Sequence, residues 1–201
     1  MFYRVFYRIA YAIAFSVIRP FFRLRVVGRE NIPAGGAVVC ANHTASSDPI
    51  FLSFALTRKH KVHFMAKAEL MSNPFSRTFL KGLAAFPVRR GASDITAIKH
   101  AFRLLRDEKK LGMFPEGTRV HHDDEAQAKT GAVMLSTRSG APFLPVWISP
   151  GRKHLFSRID IVIGSPYRWG EKRVSPDIYH KIADELMERV YNLGNSHASA
   201  H

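Results

Sequence analysis

Two spacings of hydrophobic residues alternate along the chain. In some segments apolar residues recur at every third or fourth position, and in others they alternate with polar residues or form short unbroken runs. The first spacing predicts amphipathic helices, and the second predicts half-buried or buried strands. Strands that alternate with helices throughout predict one α/β domain with a mostly parallel or mixed central sheet flanked by helices. The chain shows no internal repeat and no long linker.

The predicted segments follow one another closely. The clearest amphipathic helix spans residues 94–106, and Ser93 is its predicted N-cap. Further helices are predicted at 49–56, 74–83, 132–139 and 176–193. A short strand and turn is predicted at 26–33, and further strands at 37–41, 61–65, 86–88, 111–114, 143–148 and 159–163. Residues 196–201 are predicted to be a disordered tail.

Residues 1–19 predict an additional helix that ends at Pro20. One face carries five apolar side chains, from Phe2, Phe6, Ile9, Ile13 and Val17. The opposite face carries Arg4, Arg8 and Arg19. The uncharged stretch at 9–18 is roughly half as long as a bilayer crossing requires, and no small-residue cleavage site follows it. The segment is therefore interpreted as neither a spanning helix nor a cleaved signal peptide.

Tyrosines flank this apolar stripe, which is typical of a helix that lies in the headgroup plane of a membrane. The tyrosines are Tyr3, Tyr7 and Tyr11. We therefore expect residues 1–25 to form an amphipathic membrane-interface segment. The alternative, a helix packed on the protein's own core, has the same periodicity and stays open.

The charge of the chain narrows the range of partners. Thirty Lys and Arg residues against sixteen Asp and Glu residues give a net charge of +14. Such a chain attracts polyanions, among them nucleic acid, an anionic lipid surface, a phosphorylated substrate or an acidic carrier. The single cysteine, Cys40, excludes an intramolecular disulfide and is expected to be a buried strand residue.

A polar cluster follows the predicted strand at 37–41. In the run Asn42-His43-Thr44-Ala45-Ser46-Ser47-Asp48, the His43 imidazole could act as a general base on a hydroxyl group. Asp48 could bind the other ring nitrogen and fix the tautomer. Taken alone, the pair is more often a capped turn. Ser46 or Ser47 could instead be the nucleophile of a hydrolase, although no Gly-x-Ser-x-Gly sequence supports that function.

Three further segments carry candidate chemistry or shape. Residues 114–119, Phe-Pro-Glu-Gly-Thr-Arg, predict a turn that presents Glu116, Thr118 and Arg119 together, unless it is an ordinary solvated turn. Residues 67–91 include cations suited to a phosphate or to anionic lipid. Residues 140–148 contain no ionisable side chain and predict a buried strand. The His-His-Asp-Asp-Glu run at 121–125 is interpreted as an exposed loop, because adjacent residues rarely converge on one metal ion.

These four segments together resemble the 1-acyl-glycerol-3-phosphate acyltransferase family in order and approximate spacing. Asn42-His43-x4-Asp48 is similar to its first motif, 67–90 to its second, 114–119 to its third and 141–148 to its fourth. The resemblance covers residues 26–165, about seven-tenths of the chain. It implies an acyltransferase catalytic domain, which we assign to residues 26–195.

The resemblance also implies roles for individual residues. His43 is the base and Asp48 its orienting partner, so no acyl-enzyme forms. Glu116 contacts the acceptor's glycerol hydroxyl, and the phosphate is held by Lys67, Arg89 and Arg119. Substrate contacts are also implied for Asn42, Gly117 and Thr118. The chain departs from the family pattern at two positions: Ala45 stands where the family often has serine, and Val120 where it often has a small polar residue. These differences leave acceptor specificity open.

The expected reaction moves a fatty-acyl chain from acyl-CoA or acyl-carrier protein to lysophosphatidic acid, forming phosphatidic acid. No metal or cofactor is expected. The expected location is the cytoplasmic face of the cell membrane, as a peripheral or monotopic protein bound to an anionic surface. Within the class, the alternative acceptor is another lysophospholipid or glycerol-3-phosphate. The alternative from a different class is a non-enzymatic binder of anionic lipid or nucleic acid, which does not need the His43 and Asp48 pair.

Overall fold

A computed structural model describes residues 2–89, 94–116, 128–151, 155–170 and 175–199. Seven strands form one sheet in these ranges: β1 (Arg23–Val27), β2 (Ala37–Ala41), β3 (Val62–Lys67), β4 (Ala85–Val88), β5 (Lys110–Met113), β6 (Phe143–Ile148) and β7 (Arg158–Ile163). The helices are α1 (Phe2–Ile18), α2 (Asp48–Leu56), α3 (Pro74–Gly82), α4 (Ile95–Arg106), α5 (Gly131–Ser139) and α6 (Pro176–Ser199). Short 3-10 turns lie at Arg19–Phe21, Arg29–Asn31, Arg58–His60 and Ala68–Met71.

The strands lie in the order β1-β7-β6-β2-β5-β3-β4. All neighbours are parallel except β6 and β7, which are antiparallel. The prediction of a mixed sheet flanked by helices is therefore confirmed. Because β2, β3, β4 and β5 run in the same direction, the segments that follow them meet at one edge of the sheet. Ligands of open α/β sheets bind at this carboxyl edge.

A hydrophobic core covers each face of the sheet. On one face, α4, α5 and α6 bury Leu104, Leu135 and Leu186 against β2 and β5. On the other, α2 buries Phe51 and Leu52 against β2, β6 and β7. All five residues of β2 are buried, as expected for a central strand covered on both sides.

The first strand begins earlier than predicted. β1 starts at Arg23, so three residues assigned to the N-terminal segment belong to the sheet. Its side chains alternate between exposed and partly buried, and it pairs only with β7. On such an edge strand the outward arginines, Arg23 and Arg25, are compatible with sheet structure, although they make the segment resemble a basic linker.

The start of α4 and the end of α6 also differ from the prediction. Asp94 caps α4, because its side chain accepts a hydrogen bond from the Ala97 amide at 3.0 Å; Ser93 lies outside the described residues. α6 continues to Ser199, so the prediction of disorder was wrong for residues 196–199. The glycine at 194 resembles a stop signal, but it serves close packing: a Cβ there would lie 2.3 Å from the Trp147 indole.

Helix α1 has both an inward and an outward face. Tyr7 is buried, and Tyr11 and Phe15 pack edge-on against Phe54 of α2. Val5, Ile9 and Ile13 are exposed. The tyrosines predicted to border a membrane stripe thus include two that pack on the protein itself. Among the described helices, none combines the length and the apolar character needed to cross a bilayer.

Candidate active site

His43 and Asp48 lie in one tight turn at the carboxyl edge of the sheet. His43 follows β2 by two residues, and Asp48 begins α2 with Pro49 next to it. The His43 Nδ1 lies 3.1 Å from the Asp48 Oδ2, which also accepts hydrogen bonds from the backbone amides of Thr44 and Ala45 at 2.7 Å each. The pairing expected from the five-residue spacing is therefore present.

The surroundings of this pair suit proton transfer. The Asp48 side chain is fully buried, whereas the His43 side chain is 19% exposed. A carboxylate bound to Nδ1 fixes the neutral tautomer that carries its proton there, so Nε2 is the nitrogen that can accept a proton. The ring also stacks on Phe114 at 4.2 Å between centroids, and Phe114 stacks on Phe64. The third motif thus supports the imidazole of the first.

Glu116 has a different environment from the one expected. Its carboxylate is buried, and one oxygen accepts the His43 backbone N–H at 2.9 Å. The other oxygen accepts a hydrogen bond from the Tyr191 hydroxyl of α6. Burial raises the pKa of Glu116, while the hydrogen bonds from Tyr191 and His43 oppose that rise. In this structure Glu116 supports the backbone of the His43 turn, whereas the sequence predicted a contact with the acceptor hydroxyl.

Asn42 is also a structural residue here. Its side chain is buried, its Nδ2 donates to the Ile148 carbonyl and its Oδ1 accepts the Ile148 amide, each at 2.8 Å. The side chain therefore extends the pairing of β2 and β6 by one step. The expected substrate contact from Asn42 does not fit this arrangement, because both polar groups of the amide already bind the protein.

The predicted phosphate ligands are distributed along the same edge. Lys67 ends β3 and Arg89 follows β4; both are exposed. β3 is two strands from β2 and β4 is three, which corresponds to separations of about 10 Å and 14 Å. Gly117, Thr118, Arg119 and the run at 121–125 lie outside the described residues. The structure therefore brings Lys67 and Arg89 to the edge that carries His43, some distance from the imidazole, and their contact with a phosphate stays a prediction.

Alternative nucleophiles and metal ligands have little support in the described ranges. Cys40 is fully buried, and burial raises the pKa of its thiol well above the usual range, which is typical of an inert cysteine. Ser47 precedes α2 and Ser46 is exposed beside it. No group of three His, Cys, Asp or Glu side chains within the described residues could hold a metal ion.

Comparisons with known proteins identify the family of this chain. A sequence model of the Acyltransferase family matches residues 23–149. The 1-acyl-sn-glycerol-3-phosphate acyltransferase of Bacillus subtilis (strain 168) is 34% identical over 179 residues, which are 86% of this chain and 88% of that protein. The enzyme of the same name from Streptococcus pneumoniae (strain ATCC BAA-255 / R6) is 31% identical over 77% of this chain and 56% of its own length.

A solved structure shows that the fold is shared. The crystal structure of the 1-acyl-sn-glycerophosphate (LPA) acyltransferase PlsC from Thermotoga maritima has a TM-score of 0.63 to this chain and is 24% identical. It covers 93% of this chain, and the match spans 76% of the PlsC chain. The family resemblance found in the four motifs is confirmed, and the chain belongs to the acyltransferase family.

Proposed function

We propose that this protein transfers a fatty-acyl chain from a thioester to the free hydroxyl of lysophosphatidic acid, with phosphatidic acid as the product. The observation that carries the proposal is the His43–Asp48 pair at the carboxyl edge of the sheet. Family membership supports the reaction type, and the names of the relatives support the acceptor.

In this mechanism His43 Nε2 removes the proton from the acceptor hydroxyl as the oxygen attacks the thioester carbonyl. The tetrahedral intermediate then expels the thiolate, which takes the proton back from His43 and leaves as a thiol. Asp48 keeps Nδ1 protonated and stabilises the imidazolium between these steps. No bond forms between the acyl group and the protein. General-base assistance of this kind contributes roughly 10²–10⁴-fold to the rate.

The acceptor's phosphate is the group that we assign to Lys67, Arg89 and Arg119, and we also assign substrate contacts to Gly117 and Thr118. A guanidinium can bind a phosphate through two hydrogen bonds, whereas an ammonium is a single point charge. Arg119→Ala is therefore expected to lower kcat/KM by about two orders of magnitude, and Arg119→Lys to restore part of it. The phosphate assignment is wrong if wild type and Arg119→Ala discriminate equally between phosphorylated and unphosphorylated acceptors.

The donor and the location extend the proposal. Acyl-CoA and acyl-carrier protein both offer a thioester on an anionic carrier, which suits a chain of net charge +14. We assign the protein to the cytoplasmic face of the cell membrane, as a peripheral or monotopic protein. The exposed Val5, Ile9 and Ile13 of α1 support contact with an anionic lipid surface. On this proposal the positive charge serves lipid and donor binding and not nucleic acid.

A thioester-consumption assay with the purified full chain tests the function. It offers acyl-CoA and acyl-carrier protein in turn, with lysophosphatidic acid, other lysophospholipids and glycerol-3-phosphate as acceptors, and uses His43→Ala as the inactive control. Thiol release that depends on lysophosphatidic acid and yields phosphatidic acid is the expected result. A preference for another acceptor would replace the substrate, and a fully active, folded His43→Ala protein would contradict the mechanism.

A further inference from the structure

Exposed aromatic side chains line one face of helix α3. Phe75 is 84% exposed and Phe79 is 46% exposed, and both are large apolar residues. They are four residues apart, and Gly82 follows three residues later, so all three share one face of the helix. Leu70 in the preceding 3-10 turn is exposed as well. Single exposed apolar residues are common on proteins, but several in consecutive elements indicate an interaction surface.

This face of α3 continues onto α1. The ring of Phe6 lies directly on Gly82, where an added Cβ would come within 1.9 Å of it. Phe6 shares a face of α1 with Ile9 and Ile13, three and seven residues later, and Val5, Ile9 and Ile13 form the exposed row of α1 at four-residue intervals. We call the six exposed side chains of these two helices and the turn the apolar surface: Val5, Ile9, Ile13, Leu70, Phe75 and Phe79.

Cations lie on the other sides of α3 and at the start of the turn before it. Arg77 and Lys81 of α3 are exposed, and Lys67 precedes the turn that carries Leu70. A helix with one apolar face and basic residues on its other sides is the pattern that binds the boundary between headgroups and acyl chains of an anionic bilayer. A bilayer therefore fits this surface better than a second protein does.

The apolar surface also reaches the edge of the sheet that holds His43. Lys67 is the last residue of β3, and β3 ends at that edge together with β2 and β5. Leu70 and Phe75 follow Lys67 within eight residues, so the start of α3 lies at this edge, whereas Gly82 leads back to the opposite end of the sheet at β4. A lipid leaving a bilayer at Phe75 would thus enter beside Lys67.

We infer that α3 and the turn before it form, together with α1, one membrane-contacting surface whose α3 end passes the lipid acceptor toward His43. The inference rests on the proposed function and adds a second contact element and an entry side to it. It differs from anchoring by α1 alone, which would leave Phe75 and Phe79 in water.

Vesicle flotation of the full chain tests the surface with liposomes of phosphatidylcholine and phosphatidylglycerol at 3:1. The Phe75→Ser/Phe79→Ser variant is expected to lower the partition coefficient at least about tenfold, because two exposed aromatic side chains no longer enter the interface, where their burial is only partial. The ratio of its activity on bilayer-embedded acceptor to that on soluble short-chain acceptor should fall in parallel. The matched control is Ile95→Ser, which removes a 61% exposed apolar residue from α4 on the other face of the sheet.

Three results would overturn the inference. The first is that the double variant floats as well as wild type. The second is that Ile95→Ser reduces flotation as much as the double variant does. The third is that ultracentrifugation shows a wild-type dimer, which the double variant disrupts without any change in flotation. If the double variant does not fold, Phe75→Ser alone serves, since that side chain has little contact to lose. Failure of wild type to acylate lysophosphatidic acid in any physical form would refute the proposed function, while flotation would still decide the surface.

Discussion

The hydroxyl of Tyr191 donates a hydrogen bond to the carboxylate of Glu116. The two residues are 75 positions apart, and the second oxygen of the same carboxylate holds the backbone N–H of His43. Helix α6 is therefore connected, through one buried side chain, to the turn that carries the imidazole. Tyr191 is 44% exposed. Removing its hydroxyl therefore takes away the hydrogen bond without disturbing a buried ring.

Tyr191→Phe is expected to lower kcat about tenfold and to leave the acceptor's KM unchanged, because the hydroxyl orients Glu116 and His43 without touching the substrate. Tyr179→Phe on the same helix is the control and should behave as wild type. In a Glu116→Gln background the effect of Tyr191→Phe should change, since the two residues act as one unit. Additive effects in this cycle, or a raised KM, would argue against a positioning role.

Asp48→Asn is expected to reduce kcat by roughly 10²–10⁴-fold. The Oδ2 atom of Asp48 accepts three N–H groups, and an amide that presents its nitrogen to His43 cannot hold the same tautomer. Ser46→Ala should be tolerated far better, which separates general-base catalysis from a serine nucleophile. Steady-state kinetics with melting curves for both variants makes the comparison, and isolation of an acyl-serine would reverse the interpretation.

Asn42→Ala is expected to destabilise the protein and not to weaken acceptor binding selectively. It leaves a buried amide and a buried carbonyl of Ile148 without their partners, at about 1–3 kcal/mol for each unsatisfied group. For a domain of this size, each kcal/mol corresponds to a fall in Tm of about 2–4 °C. The measurement is calorimetry together with acceptor titration. A normal Tm with a raised KM would instead support a substrate contact.

His63 is expected to make stability depend on pH. Burial, followed by the positive charges of Lys61, His100 and Lys109, lowers the pKa of His63 to about 4. Because this folded-state pKa lies below the unfolded value near 6.5, stability is fully present above about pH 6.5 and is lost as pH falls toward 4. A shift of this size corresponds to at most about 3–4 kcal/mol, and the partial exposure of the ring reduces it.

Urea unfolding at pH 7, 5.5 and 4.5 measures this effect. His63→Gln should flatten the dependence across that window, because the side chain no longer takes up a proton on unfolding. His180→Gln, which changes an exposed histidine of α6, should retain the wild-type slope. Equal slopes for wild type and His63→Gln would show that other groups dominate.

The parts of the site that depend on local chain geometry were predictable. The five-residue spacing allowed the contact of His43 with Asp48, and the family resemblance gave the pair its expected role, because the spacing alone is also typical of a capped turn. The stacking of Phe114 on the imidazole was not predicted, although it follows from the pairing of β2 with β5. Long-range side-chain contacts carried no such signal. Nothing near Tyr191 in the sequence marks a bond to Glu116, and Asn42 has the same appearance whether it binds substrate or Ile148.

Periodicity also left the partner of each helical face undetermined. In α1 the residues with exposed side chains, Ile9 and Ile13, and those packed on α2, Tyr11 and Phe15, are all apolar or aromatic. The sequence predicts one apolar stripe flanked by tyrosines, but only the contacts with Phe54 show that the side with Tyr11 and Phe15 faces inward. The core-packed alternative is therefore correct for the face that carries Tyr11 and Phe15, and membrane contact by the exposed face stays a prediction.

The contact between Gly194 and Trp147 fixes the distance between α6 and β6, and the geometry of the active site depends on that distance. Because the indole occupies the volume that a β-carbon would need, the backbone of α6 packs directly on the Trp147 side chain of β6. Tyr191 lies three residues earlier, less than one turn away, so the same distance determines whether its hydroxyl reaches Glu116. A methyl group at 194 would lift the Tyr191 hydroxyl and weaken its support of the His43 turn without altering any polar or ionisable side chain. A redesign of this enzyme must therefore keep the distance between α6 and β6 constant, even when His43, Asp48 and Glu116 are all retained.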